Sequence, residues 1–160
     1  MSVVLDASII VKWLLKDPER EPGPDKATQL VERIVQGKET TLQPPHWLVE
    51  VGAVLARLTP ATATDDIVML SALEFPISDD PAILRRGRDL AIELKQHLFD
   101  TLYHAIALET PDTLLITADE RYLRVAQPLG RIMNLMDWVP PSEIPASESH
   151  TESKDQHKGE

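Results

Sequence analysis

The sequence contains no cysteine and few aromatic residues or glycines. The absence of cysteine among 160 residues excludes disulfides, zinc–thiolate sites, thiol nucleophiles and iron–sulfur clusters. The six glycines are scattered along the chain, so no glycine-rich phosphate-binding loop is present. A chain without cysteine is compatible with a reducing compartment, and we expect a cytoplasmic protein.

Long hydrophobic runs and excess positive charge are missing as well. No run of 18 apolar residues exists, so nothing in the sequence predicts a membrane span. Asp6 interrupts the first apolar stretch and no basic segment precedes it, so we expect no signal peptide. The 26 acidic residues outnumber 16 lysines and arginines, which gives a net charge of −10. This charge excludes a general nucleic-acid coat, although a divalent metal and a local basic face would permit chemistry on nucleic acid.

The hydrophobic content and its distribution predict one folded domain followed by a tail. Hydrophobic residues make up 42% of the chain, and a chain of this length buries about two-thirds of its unfolded surface. From residue 140 onward the sequence consists of Pro, Ser, Glu, His and Lys with almost no apolar content. We therefore predict a folded domain over residues 1–139 and a disordered acidic tail over residues 140–160.

Short apolar runs alternate with amphipathic segments along the chain. The runs predict strands at 3–5, 40–43, 74–77, 113–117 and 131–135. The segments predict helices at 9–15, 25–36, 46–58, 63–73, 82–96, 100–109 and 118–125. A proline-rich loop is expected at 16–24. This alternation predicts an α/β fold with three layers, in which helices cover both faces of a short-stranded parallel sheet.

Two acids follow predicted strands. Asp6 comes directly after the first strand, and Asp119 comes just after the strand at 113–117. In parallel sheets ligands bind beyond the carboxyl ends of the strands. Each acid also has an ordinary interpretation, because Asp6 suits a turn and Asp119 suits the first turn of a helix. Thr117 and Glu120 match a capping box, and Ser8 is expected to cap the first helix.

Two further acids lie on predicted helices. Glu50 is at the edge of an apolar stripe that contains Trp47 and Val54, where a carboxylate is costly to bury unless it is paired or binds metal. An exposed glutamate that extends to solvent is the alternative. Asp100 precedes the core-facing residues of its helix, where an ordinary N-cap aspartate is the alternative.

Taken together, the four acids predict a metal centre. Crowded carboxylates repel one another and raise one another's pKa unless a cation neutralises them. Oxygen ligands alone suit Mg²⁺ or Mn²⁺. A divalent ion in such a site can activate water and stabilise displacement at phosphorus.

Four blocks of sequence resemble the motifs of PIN-domain proteins, and in particular the VapC-type toxins of toxin–antitoxin pairs. The blocks are VVLDASIIVKWLL, HWLVEVGAVLARL, LFDTLYHAIALE and LLITADERYLR, and they fall in the family's order within residues 2–138. The resemblance implies a metal-dependent endoribonuclease that hydrolyses RNA phosphodiester bonds by metal-activated water. It assigns the catalytic and metal-binding roles to Asp6, Glu50, Asp100 and Asp119. Ser8 and Thr117 are expected to support them.

The same resemblance implies the partners. These are an RNA substrate, a cognate antitoxin protein and a second copy of the chain in a homodimer. The products would be a 5′-phosphate and a 3′-hydroxyl. The proline-rich loop and the acidic tail depart from the family pattern and leave the partner contacts open.

Two alternatives to a nuclease remain. One is a binding module that keeps the fold without turnover. The other is a different Mg²⁺-dependent α/β phosphotransfer domain, although LDAS holds one Asp and the last strand lacks a Lys. Basic residues that could meet RNA are Arg85, Arg86 and Arg88, or alternatively Lys12, Lys16 and Arg57. His46, His97 and His104 lack paired spacing, so we assign none of them to metal.

Overall fold

The computed structural model describes residues 1–16 and 23–141. Within these ranges four strands form one parallel sheet in the order β2-β1-β3-β4. The strands are β1 (Ser2–Leu5), β2 (Thr40–Thr41), β3 (Thr113–Thr117) and β4 (Ile132–Asn134). The central pair β1 and β3 is in register with Leu5 opposite Ile116. The two strands therefore end side by side.

Seven α-helices accompany the sheet in the described part of the chain. They are α1 (Ala7–Leu15), α2 (Pro24–Val35), α3 (Trp47–Leu58), α4 (Ala63–Ser71), α5 (Pro81–Leu94), α6 (Leu98–Glu109) and α7 (Glu120–Ala126). Short 3₁₀ turns span Gln127–Leu129 and Leu135–Asp137. The helix α6 packs on β1 and β3 and is covered by α5, whereas α1 contacts β3 and packs against α2 and α3.

The central strands show why the sheet needs helices on both faces. Successive side chains of a strand point to opposite faces. Val3, Val4 and Leu5 are nevertheless all fully buried, and so are Leu115 and Ile116 in β3. Both faces of the sheet are therefore covered, and the predicted three-layer α/β/α fold is confirmed.

One of the predicted strands is wrong. Residues 74–77 form no strand, and a single bridge between Gln43 and Ile77 stands in its place. Two local features prevent a ladder. Glu74 adopts a left-handed conformation with φ of 48°, and Pro76 has no N–H to donate to a neighbouring strand.

The ends of the described chain bear on the predicted domain limits. Trp138 is buried, and its carbonyl accepts a hydrogen bond from the Lys26 ammonium, so the packed part extends at least that far. The predicted tail lies outside the described residues from 142 onward, as does the predicted loop over residues 17–22. In the described part, no helix is long and apolar enough to cross a membrane.

Candidate active site

Asp6 is fixed at the carboxyl edge of the sheet by hydrogen bonds. Its Oδ2 accepts from the hydroxyls of Ser8 and Thr117, each at 2.7 Å. Because Ser8 Oγ also accepts from the backbone N–H of Ala118 at 3.1 Å, the same hydroxyl ties β1 to the end of β3. The predicted capping role of Ser8 is wrong: α1 begins at Ala7, one residue before it, and the preceding Asp6 caps with no side-chain hydrogen bond.

Asp119 follows β3 and serves as the N-cap of α7. Its Oδ1 accepts from the backbone N–H groups of Arg121 at 2.8 Å and Tyr122 at 3.0 Å. Its own N–H donates to Thr117 Oγ1 at 2.9 Å. The predicted capping box between Thr117 and Glu120 is therefore wrong, because Asp119 occupies the cap position. Capping also orients the Asp119 carboxylate beside Asp6.

Glu50 lies in the first turn of α3, half-buried rather than extended into solvent. The Tyr103 hydroxyl donates to its Oε2 at 2.8 Å. His46 Nε2 lies 3.6 Å from the same oxygen. The buried tyrosine thus holds the carboxylate against the protein, and the interpretation of Glu50 as a loose surface residue is wrong.

Asp100 is the third residue of α6 and is half-buried. The helix begins at Leu98, and His97 occupies the N-cap position. The alternative that Asp100 is an ordinary N-cap is therefore wrong. Asp100 lies instead in the first turn of α6, where its side chain lines the cleft.

All four predicted acids line one cleft. Asp6, Glu50, Asp100 and Asp119 share it with Ala7, Ser8, Val11 and Val54, and its volume is about 220 Å³. Asp6 and Asp119 come from the sheet edge, whereas Glu50 and Asp100 come from α3 and α6. The fold brings together side chains that are far apart in the sequence.

The cleft raises the proton affinity of its own carboxylates. Burial is the main reason that the pKa of Asp6, Glu50 and Asp100 is raised above the ordinary value. The negative charges of neighbours raise it further: Asp119 acts on Asp6, and Asp6 acts on both Glu50 and Asp100. Hydrogen bonds from Ser8 and Thr117 lower the pKa of Asp6 in part. Like charges are therefore confined together, a situation that a cation relieves.

The donor set suits a hard divalent cation. The cleft offers carboxylate and hydroxyl oxygens and no sulfur, which is the chemistry that Mg²⁺ and Mn²⁺ prefer. In residues 1–16 and 23–141, no three acidic or histidine side chains are arranged as a ready-made metal site. The chemistry of the donor set nevertheless fits such an ion, because four carboxylates line the same cleft.

Sequence reasoning missed two residues of this site, Tyr103 and His46. Tyr103 is one of the core-facing residues that follow Asp100 in its helix, and its hydroxyl donates a hydrogen bond to Glu50. The signal was available, because a buried tyrosine hydroxyl needs a partner. His46 stands four residues before Glu50 and therefore on the same side of α3.

The arginines of α5 pair with neighbouring acids, whereas Arg121 acts on the cleft. Arg88 pairs with Asp89 at 2.5 Å, and Arg86 lies 3.5 Å from Glu109. These contacts favour the solvated-face interpretation of the cluster on α5. The charge of Arg121, by contrast, acts on the cleft, since it lowers the pKa of Asp100 in part against the larger effect of burial.

Comparisons with known proteins agree with this geometry. The family model described as PIN domain matches residues 3–128. The fold is similar to a chain in the crystal structure of VapBC2 from Rickettsia felis bound to a DNA fragment from their promoter, with a TM-score of 0.60 and 17% sequence identity. That match covers 84% of this chain and 98% of the other. No curated protein matches the sequence significantly.

The family match covers most of the chain and spans all four acids of the cleft. Members of this family are generally nucleases. The parallel α/β fold and the acids at the carboxyl edge of its sheet agree with the matching family model. This chain therefore belongs to the PIN-domain family.

Proposed function

We propose that this protein is a metal-dependent endoribonuclease and the toxin of a VapBC-type toxin–antitoxin pair. The observation that carries the proposal is the convergence of Asp6, Glu50, Asp100 and Asp119 on one cleft at the carboxyl edge of the sheet. Three of these acids have a raised pKa, caused by burial and by each other. Such an arrangement is unfavourable for stability alone and is typical of a site that binds a cation.

The chain's own residues would divide the work in the cleft. Asp6 and Asp119 are held rigidly, the first by two hydroxyl donors and the second by the start of α7. Glu50 is positioned by Tyr103. These fixed carboxylates would bind Mg²⁺ or Mn²⁺ together with Asp100. When bound, the ion supplies activation of water and positive charge for the phosphoryl oxygens. The products would then be a 5′-phosphate and a 3′-hydroxyl.

Further parts of the proposal concern partners and location. A nuclease that cuts cellular RNA must be silenced, and the similar solved structure is a VapBC2 complex. We therefore include a cognate antitoxin, a homodimer and a cytoplasmic location in the proposal. An arginine of the antitoxin could pair with a carboxylate of the cleft in bidentate geometry.

A metal-dependent cleavage assay tests the catalytic part. Purified protein is incubated with RNA in Mg²⁺, in Mn²⁺ and in EDTA. The wild type should cut only with metal, and Glu50→Gln should abolish cutting while it preserves size and hydrogen-bonding ability. The matched control is Glu93→Gln on the exposed side of α5, which should cut like the wild type. Cleavage by Glu50→Gln at the wild-type rate would contradict the proposed site.

The same assay separates the nuclease from a binding module without turnover. A module would bind RNA or a protein partner but would release no new 5′-phosphate ends, with or without metal. If several RNA pools and both metals yield no cleavage while the protein remains folded, the binding module becomes the better description.

A further inference from the structure

An apolar pocket lies directly beside the carboxylate cleft. Its volume is about 280 Å³, and it is formed where the start of α3 meets the starts of α5 and α6. Pro44, Pro45, Leu84 and Leu102 contribute to its walls. We call it the side pocket. None of the four acids lines it, so the proposed metal chemistry does not explain it.

Two aromatic rings line the side pocket next to the cleft. His46 and Phe99 are stacked, with ring centroids 4.8 Å apart and planes 23° from parallel. Each ring is next to a proposed catalytic acid: Phe99 precedes Asp100 in the chain, and His46 lies 3.6 Å from Glu50. His46 and Phe99 line the side pocket, and their neighbours Glu50 and Asp100 line the cleft, so the two spaces lie next to each other.

Phe99 is unusually exposed for an aromatic residue so close to the core. Its exposed fraction is 56%, although one face of its ring is covered by His46. Phe99 is also one of the residues that line the side pocket. Exposed aromatic rings are the surfaces on which unstacked bases of single-stranded nucleic acid usually stack.

The charge at the pocket rim selects among possible occupants. Asp79 and Asp80 line the side pocket, so a phosphate group would be repelled there. A base carries no charge, has a flat apolar face for Phe99, and has N–H groups on its edge that can donate to a carboxylate. The rim therefore favours a base, whereas the neighbouring cleft would take the phosphate through its metal.

We propose that the side pocket is a nucleobase-binding subsite, in which one base of the RNA next to the scissile phosphate stacks on Phe99. This inference deepens the proposed ribonuclease function and rests on it for the identity of the substrate. A base held there would position the adjoining phosphodiester at the carboxylates. Phe99 is then a determinant of substrate binding and of the choice of cleavage site.

Base stacking can be measured without cleavage. We would use uridine hexanucleotides that carry the fluorescent base 2-aminopurine at each position in turn, with Ca²⁺ in place of Mg²⁺. Stacking on an aromatic ring quenches this base. Free 2-aminopurine riboside is a second probe, and because it has no phosphate its binding depends on neither the carboxylates nor a metal. The wild type should quench the riboside and should quench one position of the hexanucleotide more than the others.

The variants test the ring itself. Phe99→Ala should weaken hexanucleotide binding by about 5- to 140-fold, which corresponds to the 1–3 kcal/mol typical of one stacked base. Phe99→Leu should behave in the same way, because it keeps apolar volume without a ring, whereas Phe99→Trp should retain binding and quenching. Ile92→Ala is the matched control, since Ile92 is an apolar residue 71% exposed on α5. Because Phe99 is itself exposed, melting curves should show every variant folded.

The outcomes distinguish this inference from the proposed function. Quenching that depends on Phe99, in a protein that cuts no RNA, supports the subsite and contradicts the nuclease. RNA cleavage with no riboside quenching, and with unchanged affinity in Phe99→Ala, overturns the subsite and leaves the side pocket to a protein partner. Loss of quenching in Ile92→Ala as well would also overturn it.

Discussion

One helix, α6, carries two titratable side chains in opposite environments, the half-buried Asp100 and the buried His104. Asp100 faces the carboxylate cleft, where burial and the charges of Asp6 and Asp119 raise its pKa. His104, four residues later, is fully buried in the interior. Its Nε2 lies 2.8 Å from the carbonyl of Gly130, and its Nδ1 lies 3.2 Å from the Tyr122 hydroxyl.

The interior group is satisfied and the cleft group is not. A carbonyl can only accept, so Nε2 of His104 carries the proton and Nδ1 accepts from Tyr122. Burial lowers the pKa of His104 and keeps the ring neutral. The acids of the cleft instead repel one another. The difference teaches that polar groups which only stabilise the fold are paired, whereas those proposed to bind an ion retain unneutralised charge.

The largest expected effect is on activity. Asp100→Asn should lower RNA cleavage by more than about 100-fold, because outer partners of metal ligands alone account for 10- to 100-fold. Single-turnover cleavage rates with saturating Mn²⁺ measure this effect. His104→Gln, which perturbs the interior group on the same helix, should keep activity in the folded fraction. Equal losses in both variants would mean that the two regions are not functionally distinct.

For the free energy of unfolding we expect the opposite ranking, with a larger effect at His104 than at Asp100. His104→Ala leaves the buried Tyr122 hydroxyl without its partner, whereas Gly130 is exposed and its carbonyl can bind water instead. A buried unsatisfied group costs about 1–3 kcal/mol, so the free energy of unfolding should fall by roughly 1–3 kcal/mol in urea titrations. The control is His97→Ala at an exposed position. A change below about 1 kcal/mol in His104→Ala would show that the interior pair contributes little.

Metal binding should stabilise the cleft. An ion that binds only the folded protein adds about 2.7 kcal/mol at 100 times its dissociation constant. For a domain of this size that corresponds to a rise in Tm of roughly 5–11 °C. Melting curves with and without Mn²⁺ should show this rise in the wild type and in His97→Ala. The rise should be blunted in Asp100→Asn; an undiminished shift there would remove Asp100 from the site.

Burial and repulsion, which together raise the pKa of Asp100, predict a smaller, pH-dependent effect on stability. Because the folded-state pKa of Asp100 is raised, the folded protein keeps this proton to higher pH than the unfolded chain does. Stability is therefore lost as pH rises from the unfolded pKa of about 3.9 through the raised value. In EDTA, Asp100→Asn should be as stable as the wild type or more stable at neutral pH, and the difference should vanish near pH 3. A less stable variant at neutral pH would show that the charged form of Asp100 does not destabilise the folded protein.

The smallest effect is expected at the end of the chain. We propose that residues 140–160 form an acidic tail that is dispensable for folding, because they hold almost no apolar side chains. Truncation after Pro140 should change Tm by no more than a few degrees in a thermal scan. A larger fall would mean that the tail packs on the domain.

Much of the fold was predictable because its signals are local. The apolar run at 113–117 predicted β3, and the stripe that includes Trp47 and Val51 predicted α3. The failures were local as well. The sequence 74–77 has the apolar content of a strand, but the left-handed Glu74 and the missing N–H of Pro76 leave only a bridge to Gln43.

Helix boundaries within the site were harder to predict. Ser8 and Thr117 are of residue types that often cap helices, but both donate hydrogen bonds to Asp6 instead. A hydroxyl that can cap a helix can equally bind a neighbouring carboxylate. The choice between the two depends on which partner the fold brings near, and composition carries no information on that.

The sequence by itself determined which side chains could take part in chemistry and which segments carry them. Strand and helix patterns depend on neighbours a few residues apart, so Asp6 and Asp119 were placed at strand ends, and Glu50 and Asp100 on helices, without a structure. Tertiary structure decided the rest. The parallel register of β1 with β3 places Thr117 against Asp6, and the packing of α3 and α6 brings Tyr103 to Glu50 and Phe99 to His46. Contacts between residues that are distant in the chain follow from how whole faces pack, and no local pattern specifies them.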